Sequence, residues 1–129
     1  MRIEIATGLI DAVIALAAAD PEREVCGLLF GAPGRIAGYL PARNVAGDPT
    51  TMFEIDPAML FAVHRAARAG GPVPVGCYHS HPRGSAMPSE RDRAGADPGH
   101  YWLIVAGRDV ALYHARPDGR FDRCQPAST

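Results

Sequence analysis

The sequence predicts a mixed α/β fold, a single mixed β-sheet flanked by helices, in one domain over residues 1–129. Segments with strand alternation interleave with segments of helical spacing, and the carboxyl end reads as hairpins. The composition, 47% hydrophobic and 21% charged, is that of one packed core. A chain of 129 residues buries most of the surface its unfolded form exposes, so that core needs neither a disulfide nor a metal to close it. Pro and Gly fall in short clusters between the periodic segments and mark no linker, so no domain boundary is drawn.

Each element has a local reason. Arg2 to Ala6 alternates as a strand, and Thr7 is placed to cap a helix whose Ile10, Val13, Ile14 and Ala17 share one face until Asp20-Pro21 ends it. Glu24 to Gly31 is an apolar run long enough for one buried strand. Pro33-Gly34 then turns the chain into a second, Arg35 to Leu40. Pro41 to Thr50 reads as a loop before a short strand around Met52 to Ile55. Asp56-Pro57 is an N-cap followed by proline at the first helical position, opening a helix through Leu60, Val63, His64 and Ala67 that stops at Gly70-Gly71. Val73 to Tyr78 is a strand, Arg83 to Pro88 a loop and Ser89 to Ala96 a short helix. Tyr101 to Ala106, Val110 to Ala115 and Arg120 to Cys124 close the fold, the last two parted by Pro117-Asp118-Gly119.

Charge and composition exclude several functions. Thirteen basic residues, all Arg, stand against fourteen acidic ones, so there is no basic footprint for nucleic acid. The longest apolar run, Ala12 to Ala19, is too short and interrupted to span a bilayer, so no membrane partner is expected. Met1 to Ile5 carries an acid and a strand-like alternation where a secretory signal needs a basic patch and an unbroken apolar stretch, so the expected location is cytoplasmic. Cys26, Cys77 and Cys124 form no Cys-x-x-Cys pair and read as small buried hydrophobes. Oligomeric state is not legible, and a homodimer stays open.

Chemistry begins where the strand ending at Tyr78 runs into His79-Ser80-His81-Pro82. Residues two apart on a strand project to one face, so His79 and His81 aim two imidazoles at a common point. Asp92, in the first turn of the next helix, offers a third ligand. Three N/O ligands with a fourth position left to water describe a catalytic zinc site better than a structural one. Ser89 and Asp92 also form S-x-x-D, a helix-capping pattern. The cap explains those two residues alone, and it is compatible with a metal because it fixes where Asp92 points.

The stretch from His79-Ser80-His81-Pro82 through Pro88-Ser89-Glu90-Arg91-Asp92 resembles the JAMM (MPN+) metalloprotease motif, H-S/T-H-P followed by S-x-x-D. Glu24-Val25-Cys26-Gly27-Leu28-Leu29-Phe30-Gly31 looks like the family's E-x-C-G-L-L-x-G segment, and Asn44-Val45 and Phe53-Glu54-Ile55-Asp56-Pro57 resemble stretches of its small prokaryotic members. The resemblance runs from about Ile3 to Tyr113. It implies a cytidine-deaminase-like JAMM/MPN domain in which His79, His81 and Asp92 hold zinc. It further implies that Glu24 is the general base, with Glu22 fitting the spacing less well, and that Ser89 donates to the oxyanion.

Ser80 points to the opposite face and reads as structural. His64, His100 and His114 read as surface or packed residues, and Cys77, which shares the histidines' face, reads as packing.

The expected function is a zinc-dependent peptidase or isopeptidase. By analogy with small relatives, its substrate is a ubiquitin-like sulfur-carrier protein with a carboxyl-terminal Gly-Gly tail. Such a tail, lacking side chains, can pair with a sheet edge and approach a metal closely. A general deubiquitinase-like isopeptidase is the nearest alternative. A zinc nucleoside deaminase needs H-x-E and P-C-x-x-C, which are absent, and a non-catalytic MPN scaffold usually loses the ligands that are all present here.

Overall fold

The computed structural model describes residues 1–129. Seven strands and three helices follow the order β1 (Arg2–Ile5), α1 (Leu9–Ala19), β2 (Cys26–Ala32), β3 (Arg35–Ala42), α2 (Pro57–Arg68), β4 (Pro74–Ser80), α3 (Glu90–Gly95), β5 (Tyr101–Ala106), β6 (Asp109–Ala115) and β7 (Phe121–Ser128). The mixed sheet and its flanking helices are as the sequence predicts.

Local chemistry sets most boundaries. Asp56 caps α2 by accepting from the Ala58 backbone N–H at 3.0 Å, with Pro57 at the first helical position. Thr7 does not cap α1. The N-cap is Gly8, whose φ of 86° needs a glycine, and the Thr7 hydroxyl donates to the Thr129 carbonyl instead. The strand expected over Met52 to Ile55 is reduced to one bridge, Asn44 to Ile55. The Asn44 side chain takes the place of a partner strand there, donating to the Met52 carbonyl at 3.0 Å and accepting from the Glu54 N–H at 3.1 Å.

The sheet runs β1-β3-β2-β4-β5-β6-β7 and closes, because β7 pairs in parallel with β1. That closure uses Gln125 to Ser128, beyond the predicted end of β7 at Cys124, against Arg2 to Ile5. Gln-Pro-Ala-Ser has no strand signature of its own, and the pairing comes from the free backbone groups of β1.

Alternation on the strands divides the interior in two. One face, covered by α1 through Leu9 and Val13, carries a cluster of aliphatic and aromatic side chains that includes Ile3, Leu29, Tyr78, Leu103 and Leu112. The other face carries two smaller clusters, one around Trp102, Ile104 and Tyr113 and one around Cys26, Leu28 and Ile55, with Leu60 and Val63 of α2 laid against the latter. On β4, Tyr78 belongs to the first face, and Cys77 packs against the clusters of the second. No helix is long and apolar enough to cross a membrane.

Candidate metal centre and its cleft

All four buried polar or charged residues of the protein, Glu24, His79, Ser80 and Asp92, lie at or beside the carboxyl end of β4. β4 delivers His79, and the chain continues to His81, whose N–H still donates to Val105 of β5 at 2.8 Å before Pro82 ends the pairing. Antiparallel pairing sets Cys26 opposite His79, which brings Glu24, two residues before Cys26, to the same end. Asp92 arrives on α3. Its position is fixed by a reciprocal capping box, in which Ser89 Oγ accepts from the Asp92 N–H at 3.0 Å and Asp92 Oδ2 accepts from the Ser89 N–H at 2.9 Å.

His79 Nε2 and His81 Nε2 are 3.0 Å apart, and Asp92 Oδ2 is 3.2 Å from each. A ring N–H lies along one in-plane direction, so hydrogen bonds cannot satisfy all three edges of this triangle. A cation can: donors held at about 2.0–2.2 Å around a tetrahedral ion stand roughly 3.3–3.6 Å from one another, slightly wider than this triangle. Glu24 also brings a carboxylate oxygen within 4.8 Å of the two imidazoles. It forms no hydrogen bond to either of them, whereas Asp92 touches both. Four side chains therefore share one centre, three as a tight triangle and Glu24 beside it. The donor set of imidazole and carboxylate fits a metal ion.

The two histidines are held differently. His81 Nδ1 is 2.7 Å from the Ser85 carbonyl, which fixes a proton on Nδ1 and leaves the Nε2 lone pair facing the centre. His79 Nδ1 is buried without a hydrogen-bond partner. Aromatic packing orients its ring instead, with Phe53 stacked at 4.4 Å and Trp102 edge-on at 5.5 Å.

Electrostatics separates the carboxylates. Burial, opposed by His81 and reinforced by Asp92, raises Glu24 to about 7. Burial acts on Asp92 in the same direction, but its hydrogen bonds with His79 and His81 outweigh it and hold the carboxyl well below the usual range. Burial lowers His79, while the Asp92 hydrogen bond raises His81. One carboxylate stays charged and the other is poised to take a proton near neutrality. Burial pushes the Cys26 thiol up to about 12 and raises Cys77 as well.

A cleft of about 610 Å³ opens beside the triangle. Its lining includes Ser89 and Asp92, the rings of Phe53 and Trp102 with Cys77, and the apolar Leu28, Ile55 and Leu60. His64 and His100, which the sequence reads as surface or packed residues, lie on its walls, whereas His114 packs on Tyr101 at 5.2 Å. Of the four side chains at the centre only Asp92 lines the cleft; Glu24, His79 and His81 do not. Ser80 turns away from the centre, accepting from the Val25 N–H at 2.8 Å.

Sequence reasoning missed the residues that position the site. Asn44 donates to the Glu24 carbonyl at 2.9 Å while also binding Met52 and Glu54, so one amide ties the Glu24 segment to the loop bearing Phe53. Trp102 reaches His79 because β5 sets it opposite Cys77, a register no single sequence prints. The Asn44-Val45 and Phe53-Glu54 stretches of the motif were the only signal for the first two.

Residues 6–122 match the family model for prokaryotic homologs of the JAB domain. The chain belongs to this family. This JAB-domain protein is 37% identical over 107 residues to a desampylase of Haloferax volcanii, an alignment covering 81% of the chain and 70% of that relative. It is 33% identical over 111 residues to a CysO-cysteine peptidase of Mycobacterium tuberculosis, covering 84% and 75%. Its fold superposes with a TM-score of 0.80 on a protein of Desulfitobacterium hafniense solved in solution, at 26% identity and covering 100% and 93% of the two chains. The JAB-domain protein is an enzyme, a hydrolase of the JAMM peptidase type.

Proposed function

We propose that the protein is a zinc-dependent isopeptidase or peptidase that cuts the amide bond following the carboxyl-terminal Gly-Gly tail of a ubiquitin-like sulfur-carrier protein. His79, His81 and Asp92 are its metal ligands, Glu24 its general base and Ser89 its oxyanion donor. The observation that carries the reading is the triangle of two Nε2 atoms and one Oδ2 at 3.0–3.2 Å. The similarity to a desampylase and to a CysO-cysteine peptidase supports the substrate class.

Zinc held by these ligands supplies Lewis acidity, making water acidic near neutral pH and a carbonyl electrophilic. Glu24, raised to about 7 by burial, takes a proton from the attacking water and returns it to the departing amine. Ser89 Oγ accepts its cap bond from Asp92 and keeps its own proton free, so the hydroxyl can donate to the carbonyl oxygen as charge develops there. The carrier tail occupies the cleft that Ser89 and Asp92 line. Side-chain-free glycines bring the scissile carbonyl close to the ligands.

The test is to incubate the zinc-loaded protein with carrier proteins extended beyond Gly-Gly and to follow truncation by mass spectrometry. Cleavage after the second glycine is expected, lost with Glu24→Gln, Asp92→Asn or a chelator. Cleavage that survives both substitutions, or chelation, overturns the mechanism, and tails left intact overturn the substrate class.

A further inference from the structure

Residues 82–88 form a strap that joins metal ligand His81 to Ser89, and none of them makes a backbone-to-backbone hydrogen bond. Two hydrogen bonds to neighbouring carbonyls hold it: His81 Nδ1 to Ser85 O at 2.7 Å and the Tyr113 hydroxyl to Ala86 O at 2.9 Å. Those carbonyls sit on adjacent peptide planes separated only by the two backbone torsions of Ala86, so holding one narrows the directions open to the other. The Ala86 side chain is itself buried against Trp102, Ile104, Ala111 and Tyr113.

Tyr113 is a rigid post. It lies on β6 opposite Trp102 and Arg123, is 6% exposed, and packs its ring on Phe121 at 5.9 Å with the Arg123 guanidinium 5.7 Å from its centroid. It makes the one hydrogen bond that joins residues 82–88 to a strand of the sheet. His81 needs that tie more than His79 does, because its side chain is 12% exposed and lacks the stacked Phe53 that orients His79.

We propose that the Tyr113 hydroxyl is a positioning group for the metal centre. By pinning the Ala86 carbonyl it sets the Ser85 carbonyl against His81 Nδ1 and so holds His81 in the tautomer and orientation that present Nε2 to the ion. The inference rests on the reading of His81 as a ligand, and it assigns a role to a residue outside the JAMM motif. Groups that orient a ligating histidine from behind typically change metal affinity about 10–100-fold when removed.

Tyr113→Phe removes one oxygen and keeps the ring packing. Zinc affinity, measured by competition with a chromophoric chelator, is expected to fall about tenfold or more. The imidazole nitrogen spectrum of the metal-free protein at alkaline pH is expected to change from a single Nδ1–H form of His81 to a mixture of tautomers. Ala86→Gly, which keeps Tyr113 but frees the strap backbone, is expected to move both readouts the same way and carries the test if Tyr113→Phe fails to fold. Ser85→Ala, which leaves the carbonyl in place, is expected to move neither. Unchanged affinity and an unchanged His81 tautomer in Tyr113→Phe overturn the proposal. If the parent binds no zinc, the ligand reading fails, and the tautomer spectrum still decides whether Tyr113 positions His81.

Discussion

The two faces of the sheet solve opposite problems with the same strands. Under α1, the side chains are apolar and close-packed, with Leu29, Leu103 and Leu112 fully buried. On the far face, at the end of β4, buried polar groups need specific partners, as Asp92 meets two imidazoles and a backbone N–H. A cleft remains open beside them. The first face stabilises by exclusion of water and tolerates no void. The second stores strongly interacting groups in a medium of low polarity, where they are costly to the fold and useful to chemistry. Function has been placed where β4 alternates, so that its neighbour Tyr78 serves the core and His79 serves the site.

If the division is real, damage to one face should leave the other intact. Leu103→Ala, fully buried under α1, is expected to destabilise the fold by about 2–5 kcal/mol in denaturant unfolding. Zinc affinity and kcat per folded molecule should not change, and a large loss of either would show that the core also tunes the site.

The polar face should show its cost in pH dependence. Glu24 rises from an ordinary value near 4.5 to about 7 on folding, so the folded state binds this proton more tightly than the unfolded one. Its contribution to stability is present below the unfolded value and is lost as pH rises through about 7. In the metal-free protein, Glu24→Gln should therefore be more stable than the parent at mildly alkaline pH, by about 3 kcal/mol, and the difference should vanish near pH 4 to 5. His79 and Asp92, both lowered, act in the opposite direction at acid pH, but they are present in both proteins. Equal thermal stability of the two across this range would place Glu24 in a more hydrated setting than the geometry gives it.

The smallest effect belongs to the seam between the faces. Ser80→Ala leaves the Val25 N–H without its acceptor and should cost about 1–2 kcal/mol. The same loss loosens the turn that carries Glu24, so kcat should fall several-fold while zinc affinity holds. A variant that weakens zinc binding instead would make Ser80 part of the ligand scaffold.

Much of this was legible in the chain. Asp56-Pro57 announced α2, the Gly70-Gly71 stop ended it, and the burial of Leu29, Leu103 and Leu112 follows from apolar runs. The spacing of His79, His81 and Asp92, with the Ser89 cap, predicted three groups that meet within 3.2 Å, because strand alternation and helix capping are local rules. What failed was long-range. Thr7 looked like a cap but binds Thr129 instead, and Gln125 to Ser128, with no strand signature, close the sheet against β1.

The order of residues alone thus determined the side-chain types of the candidate centre, their spacing and the periodic apolar faces, since each depends on neighbours within a few positions. Tertiary structure decided which groups stand behind His79, His81 and Glu24. The Phe53 and Trp102 rings against His79, the Asn44 tie to Glu24 and the Tyr113 bond to the strap join segments far apart in sequence. Strand register creates such contacts, and register is a property of pairs of segments that no single segment encodes.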